Sequence, residues 1–214
     1  MTMAAFNISD SALVFNTYQM YLKSGFDTLK SHLQIAQARN FVSGIKLVRG
    51  AYIYVEPKRA SIIHDNKVDC DNAYDAAVEL LLRGKQFEGN EYPKPWTAEV
   101  MLATHNMNSV EKALNIYIQQ DMSRTSITGT QKLVFAQLMG MADEITMKLA
   151  SRLQAMGEKS GLGVYKYTVW GSLEDCLLYM LRRAEENQDA AARSRVTAVL
   201  MLKEIGTRLR FWRS

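Results

Sequence analysis

Two adjacent guanidiniums, Arg182 and Arg183, stand near the end of a helical stretch, with Glu186 close behind them. Arginine carries a planar fork of donors that grips a carboxylate in bidentate fashion, so the pair suits a small acid as ligand. The stretch around them, residues 164–187, reads VYKYTVWGSLEDCLLYMLRRAEEN. A β-branched, apolar run from Val164 to Trp170 stops at Gly171. A helix then begins, with Ser172 as its cap and Glu174 and Asp175 in its first turn, where carboxylates favour the exposed amides. Strand, turn and helix together can cradle a carboxylate. The same spacing also gives ordinary surface ion pairs, worth a few tenths of a kcal/mol. On spacing alone the ion-pair reading is the stronger.

Other reactive side chains are sparse. His32, His64 and His105 do not cluster, so no metal is assigned, and His105 taken alone reads as a satisfied polar residue. Cys70 and Cys176 lack CxxC spacing, which suits a reducing compartment and gives no zinc framework. The chain of 214 residues is 48% hydrophobic and 22% charged, a globular balance with room for a sizeable core. The net charge of +4 gathers after Ala192, where Arg193, Arg195, Lys203, Arg208, Arg210 and Arg213 face only Glu204. That tail reads as a solvated helix face. No basic stripe with interleaved aromatics runs through the rest, so nucleic-acid binding is not expected. No run of about 18 apolar residues exists to span a membrane. The opening residues, MTMAAFNISD, lack arginine and a hydrophobic core and read as neither a secretory signal nor a transit peptide.

The elements that must position these residues alternate. Residues 11–22 read as a strand and 24–40 as a helix, with Phe26, Leu29, Leu33 and Ala36 on one face. Ile45 to Val48 form a short strand that Gly50 ends. Residues 71–85 form a helix, capped by Asp71 or Asn72 and stopped by Gly84. The segment AEVMLATHN is a strand, and NSVEKALNIYIQQ a helix capped by Asn108 or Ser109. The run KLVFAQLMGMAD is a strand ended by Gly140, followed by a helix that Gly157 stops. The strand and helix of 164–187 come next, and a last helix runs from about Asp189 to Arg210. Such alternation implies a parallel sheet with crossover helices. Polar or glycine residues recur where strands end: Gln19, Arg49-Gly50, Thr104-His105-Asn106, Gly140 and Trp170-Gly171. In a (βα) barrel those ends build the active site. No GxGxxG follows any strand, which disfavours a dinucleotide-binding open sheet. Five units fall short of the eight that close a barrel.

Five segments in this order resemble proline dehydrogenase, the flavin enzyme of proline catabolism, in its eukaryotic mitochondrial form. They are NTYQMYL (16–22), KLVRGAY (46–52), LATHN (102–106), FAQLMGMAD (135–143) and YMLRRAEEN (179–187). The resemblance implies an α/β fold, a distorted (βα)8 TIM-type barrel, of which this chain supplies about the last five βα units. Residues 1–12 are then a lead-in, 13–187 a partial barrel and 188–214 a basic amphipathic tail. It implies FAD as cofactor and oxidation of L-proline to Δ1-pyrroline-5-carboxylate. A hydride moves from the substrate to flavin N5, and the electrons go on to a quinone. It further implies a mitochondrial location, matrix or inner membrane, with peripheral membrane contact. By resemblance, Arg182 and Arg183 pair with the proline carboxylate and Glu186 orients them. Tyr52, Tyr167 and Leu138 wall the substrate. Lys46 stands where the family has a cation near the flavin, often arginine. Gln19 bonds the flavin ring edge, and Val48, Gly50 and Ala51 bring backbone close to it, which would explain small residues there. Thr104, His105 and Asn106 lie near the ADP portion of FAD, and Gln137 is a further cofactor contact. The alternatives are a hydroxyproline dehydrogenase and an inactive, truncated barrel fragment.

Overall fold

Five apolar runs become five strands, and each is followed by a helix, as the alternation requires. The structure is a computed structural model that describes residues 2–8, 10–50, 56, 59–83, 96–121, 129–156 and 162–186. In chain order the elements are α1 (Thr2–Phe6), β1 (Phe15–Gln19), α2 (Gly25–Arg39), β2 (Ser43–Val48), α3 (Arg59–Ile62), α4 (Lys67–Arg83), β3 (Thr97–Ala103), α5 (Met107–Asp121), β4 (Gly129–Leu138), α6 (Asp143–Met156), β5 (Leu162–Tyr167) and α7 (Leu173–Glu186). The strands form one sheet in the order β1-β2-β3-β4-β5, all parallel. A parallel sheet in sequential order is the arrangement of a (βα) barrel wall. The chain divides into two compact units, Met1–Thr168 with all five strands, and Val169–Ser214 with α7.

The two faces of the sheet differ. Period-2 alternation puts Ile45 and Leu47 of β2, Ala98, Val100 and Leu102 of β3, and Leu133 and Phe135 of β4 on one face, all buried. They pack with Leu29 and Leu33 of α2, Tyr74, Val78 and Leu81 of α4, Leu114 of α5, and Ile145 and Leu149 of α6 in one core. Each buried Val, Leu, Ile or Phe among them contributes about 1.5 to 3 kcal/mol of burial. The other face carries Thr17, Gln19, Lys46, Val48, Glu99, Met101, Ala103, Val134, Ala136, Leu138, Tyr165 and Tyr167. Most of these are half-buried or exposed, Tyr165 and Tyr167 by 56% and 51%. Parallel sheets normally bury both faces. A half-open face is what one wall of a barrel presents.

Several boundaries differ from the sequence expectation. The first strand is Phe15–Gln19, shorter than 11–22, and the last ends at Tyr167 rather than Trp170. Helix α4 begins at Lys67, and its cap is Asn66, whose Oδ1 accepts from the Asp69 amide at 2.9 Å. Helix α5 begins at Met107, with Asn106 Oδ1 accepting from the Ser109 amide at 3.2 Å. The expected caps Asp71, Asn72, Asn108 and Ser109 therefore lie inside their helices. Ser172 does cap α7, accepting from the Asp175 amide at 3.2 Å. The stops at Gly84 and Gly157 and the helix of 189–210 fall outside the described residues.

The lead-in is anchored. Asn7, fully buried, donates to the carbonyls of Val14 (2.8 Å) and Val42 (2.9 Å) and accepts from the amides of Leu13 (3.0 Å) and Val14 (2.8 Å). One side chain thus joins the segment after α1 to the entries of β1 and β2.

Candidate functional site

Because the strands are parallel, their carboxyl ends share one edge of the sheet. Hydrogen bonds carry the strand pairing past the ladders there: Met20 N to Val48 O (2.9 Å), Tyr21 N to Arg49 O (2.7 Å), Thr104 N to Ala136 O (3.2 Å) and Met139 N to Tyr167 O (2.8 Å). Nine of the expected site residues fall at or near this edge, in three groups.

On the half-open face, Lys46 and Tyr167 meet. The Lys46 ammonium lies 5.4 Å from the Tyr167 ring centroid, although β2 and β5 are three strand steps apart. Three steps span about 14 Å in a flat sheet. Contact over that span indicates that the sheet curls toward this face, as a barrel wall does. Leu138 stands opposite Tyr167 in the β4–β5 register and joins the group.

At the β1–β2 end, Gln19 pairs with Val48 in register, and Gly50 turns beside them with φ +118°. A Cβ added at Gly50 would fall within the buried Tyr21 ring and 3.2 Å from Gln19 Oε1. The ring and the backbone angle are by themselves sufficient reason for glycine here. Ala51 and Tyr52 lie outside the described residues.

The third group is the β3–α5 turn. Thr104 Oγ1 accepts from the Asn106 amide (3.1 Å), and Asn106 Oδ1 caps α5. His105 Nε2 accepts from the Leu138 amide at 3.0 Å. In that bond Nε2 acts as the acceptor. It also ties the turn to the backbone of the residue beside Tyr167. No acidic residue stands in the first turn of α5, so its positive end faces this edge uncompensated by its own sequence.

Gln137 is not brought into these groups. It points to the helix-covered face, where its Oε1 accepts from Thr146 Oγ1 at 3.1 Å. Arg182, Arg183 and Glu186 lie on the last turns of α7 in the second unit. The Arg183 guanidinium stacks 5.4 Å from the ring of Tyr179, one turn earlier on the same helix. The side chains of Arg182 and Glu186 lie outside the described set.

Sequence reasoning passed over Arg49, which read only as the polar end of a strand. Its Nε donates to Asp71 (2.6 Å), Nη1 to Thr104 Oγ1 (3.0 Å) and Nη2 to Ser109 Oγ (2.9 Å). Ser109 in turn donates to Asp75 (2.7 Å), and the guanidinium lies 4.3 Å from the Tyr74 ring. Burial disfavours the charged Asp71 carboxylate, but hydrogen bonds from Lys67 and Arg49 outweigh it and hold its pKa below the ordinary value. Burial pushes the Tyr74 phenol above the usual tyrosine range, so it stays neutral. The only sequence signal for this network was an arginine placed directly before a turn glycine.

Comparison with known proteins adds a lineage to this geometry. Residues 1–196 match the protein family described as Proline dehydrogenase. A probable mitochondrial proline dehydrogenase of Schizosaccharomyces pombe is 33% identical over 194 residues, covering 85% of this chain and 37% of that protein. A hydroxyproline dehydrogenase of Bos taurus is 30% identical over 202 residues, covering 92% of this chain and 40% of that protein. A solved structure of proline utilization A from Bradyrhizobium japonicum shares the fold, with a TM-score of 0.60 and 23% identity over 87% of this chain and 18% of that one. The chain thus spans 37% and 40% of the length of these two curated relatives.

Proposed function

The chain belongs to the proline dehydrogenase family, and from that membership we propose that it is the carboxyl-terminal part of a barrel that oxidises L-proline to Δ1-pyrroline-5-carboxylate with FAD. In this reading residues 13–187 are the partial barrel and 188–214 the basic tail. The Lys46–Tyr167 contact across the curved sheet carries the reading. It joins a cation expected beside the flavin to an aromatic wall expected beside the substrate, on strands that a flat sheet would hold apart.

The residues present fit FAD. Gln19 offers an amide beside the turned backbone of Val48 to Gly50, which suits the polar edge of an isoalloxazine. The β3–α5 turn, with Thr104, His105 and Asn106, stands at the positive end of α5, which would suit a diphosphate. Gln137, facing the helices, is the weakest of the proposed contacts. When bound, FAD supplies the acceptor for the hydride that leaves the proline ring, with a quinone of the mitochondrial inner membrane as the onward acceptor.

The chain's own groups hold and orient. By resemblance, Arg182 and Arg183 would take the proline carboxylate, with Glu186 as their orienting partner. By resemblance, Tyr52, Tyr167 and Leu138 would wall the apolar ring of the substrate. Lys46 would supply a fixed positive charge beside the bound cofactor. Its contact with the Tyr167 face restricts where that charge sits.

Lys46→Met tests this assignment. In anaerobic single-turnover mixing of FAD-loaded protein with proline, the variant should be reduced about tenfold more slowly or worse, the scale of one lost charge contact. Equal rates would remove Lys46 from the mechanism. The same mixing with 4-hydroxyproline decides between the two relatives' activities: faster reduction by that substrate would favour a hydroxyproline dehydrogenase.

A further inference from the structure

One guanidinium spends its donors on three separate elements. Arg49, at the carboxyl end of β2, reaches Asp71 on α4, Thr104 at the end of β3 and Ser109 on α5, with its plane over the buried Tyr74 ring. Its side chain is only 20% exposed, so this is not a screened surface pair. Lys67 also pairs with Asp71, and Asp75 accepts from Ser109. Both outer branches are therefore anchored in turn. Thr104 accepts from Arg49 and from the Asn106 amide, and the next residue, His105, accepts from the Leu138 amide. The bonds run from β2 through the β3–α5 turn to the end of β4.

We propose that Arg49 is a positioning residue that fixes the β3–α5 turn, and through His105 the backbone of Leu138, so that the cofactor turn and the substrate wall are set by one side chain. The planar fork is what the role requires. Lysine could keep the pairing with Asp71 but could not reach Thr104 and Ser109 together. The cofactor half of the inference rests on the functional reading above; the positioning half does not.

Amide hydrogen exchange on the 214-residue chain tests the positioning directly. Arg49→Met and Arg49→Lys should each speed exchange at the Ser109 and Leu138 amides about tenfold or more, the scale of losing one charged hydrogen bond. The Ile45 and Val100 amides inside the ladders should be unchanged. Thr104→Val, a milder change, should loosen Leu138, whereas Ser109→Ala should not. Uniform acceleration across the sheet, or none at Leu138, would overturn the inference. A titration with FAD reads the second half. Arg49→Met should weaken binding by the folded protein about tenfold, whereas a purely structural arginine would lower the melting temperature and leave the affinity of the folded protein unchanged. A wild-type chain that binds no FAD would count against the functional reading alone, because exchange at Leu138 decides the positioning role without cofactor.

Discussion

Gly50→Ala separates two reasons for a small residue at the end of β2. If the residue must be small only to admit the flavin, the substitution should leave the cofactor-free protein intact. The structure gives a reason that needs no flavin. The backbone at Gly50 has φ +118°, outside the regions that L side chains adopt, and an added Cβ would sit closer than 3.0 Å to the Tyr21 ring. Holding alanine at that angle costs about 1 to 3 kcal/mol. Moving a ring that is 4% exposed costs about 1 to 3 kcal/mol more. Urea unfolding of the cofactor-free protein should therefore show a loss of about 2 to 6 kcal/mol. In a Tyr21→Val background the clash disappears and only the backbone cost remains. The double-mutant cycle should then return a coupling of about 1 kcal/mol or more. Unchanged stability for Gly50→Ala, or an equal penalty in both backgrounds, would refute the reasoning.

Three further outcomes follow from the same contacts. Asn7→Ala removes two donated and two accepted hydrogen bonds at a fully buried site, and should cost about 3 kcal/mol in urea unfolding; a loss under about 0.5 kcal/mol would mean that the lead-in is not anchored there. Asp71 has its pKa lowered in the folded protein, so its stabilisation is fully present above the ordinary carboxylate value of about 3.9 and is lost as pH falls through the lower folded value. Asp71→Asn should remove that part of the acid limb, and an unchanged pH–stability curve between about pH 2 and 5 would dismiss the pair. Arg182→Met should raise KM for proline sharply in an active, FAD-loaded protein, because a carboxylate would lose a bidentate partner; an unchanged KM would return Arg182 to an ordinary helical ion pair.

The sheet was legible because strands buried on one face must repeat apolar residues, and the runs at Ile45–Val48 and Leu133–Phe135 do so visibly. The parallel order followed from the alternation with helices. The helix starts were less legible. Asp71 and Ser109 are good capping types, but Arg49 recruits both from a distant strand, and Asn66 and Asn106 do the capping instead. No local pattern records a contact across 22 or 60 residues. In the site, resemblance named Lys46, Leu138 and Tyr167, yet nothing in the sequence said that they meet; curvature of the sheet decides that. Gln137 and Leu138 show the opposite lesson. Neighbours in a strand point to opposite faces, so a cofactor contact at Gln137 and a substrate contact at Leu138 would lie on opposite faces of the sheet. The structure keeps the period and turns Gln137 to Thr146.

We propose that these five βα units contribute the carboxyl-terminal part of a flavin and proline site. The most direct measurement is the visible spectrum of the purified chain after loading with FAD, followed by anaerobic addition of proline. A bound flavin band at about 450 nm that bleaches with proline is expected if the proposed residues position both reactants. A chain that holds no flavin, or holds one that proline leaves oxidised, would contradict it.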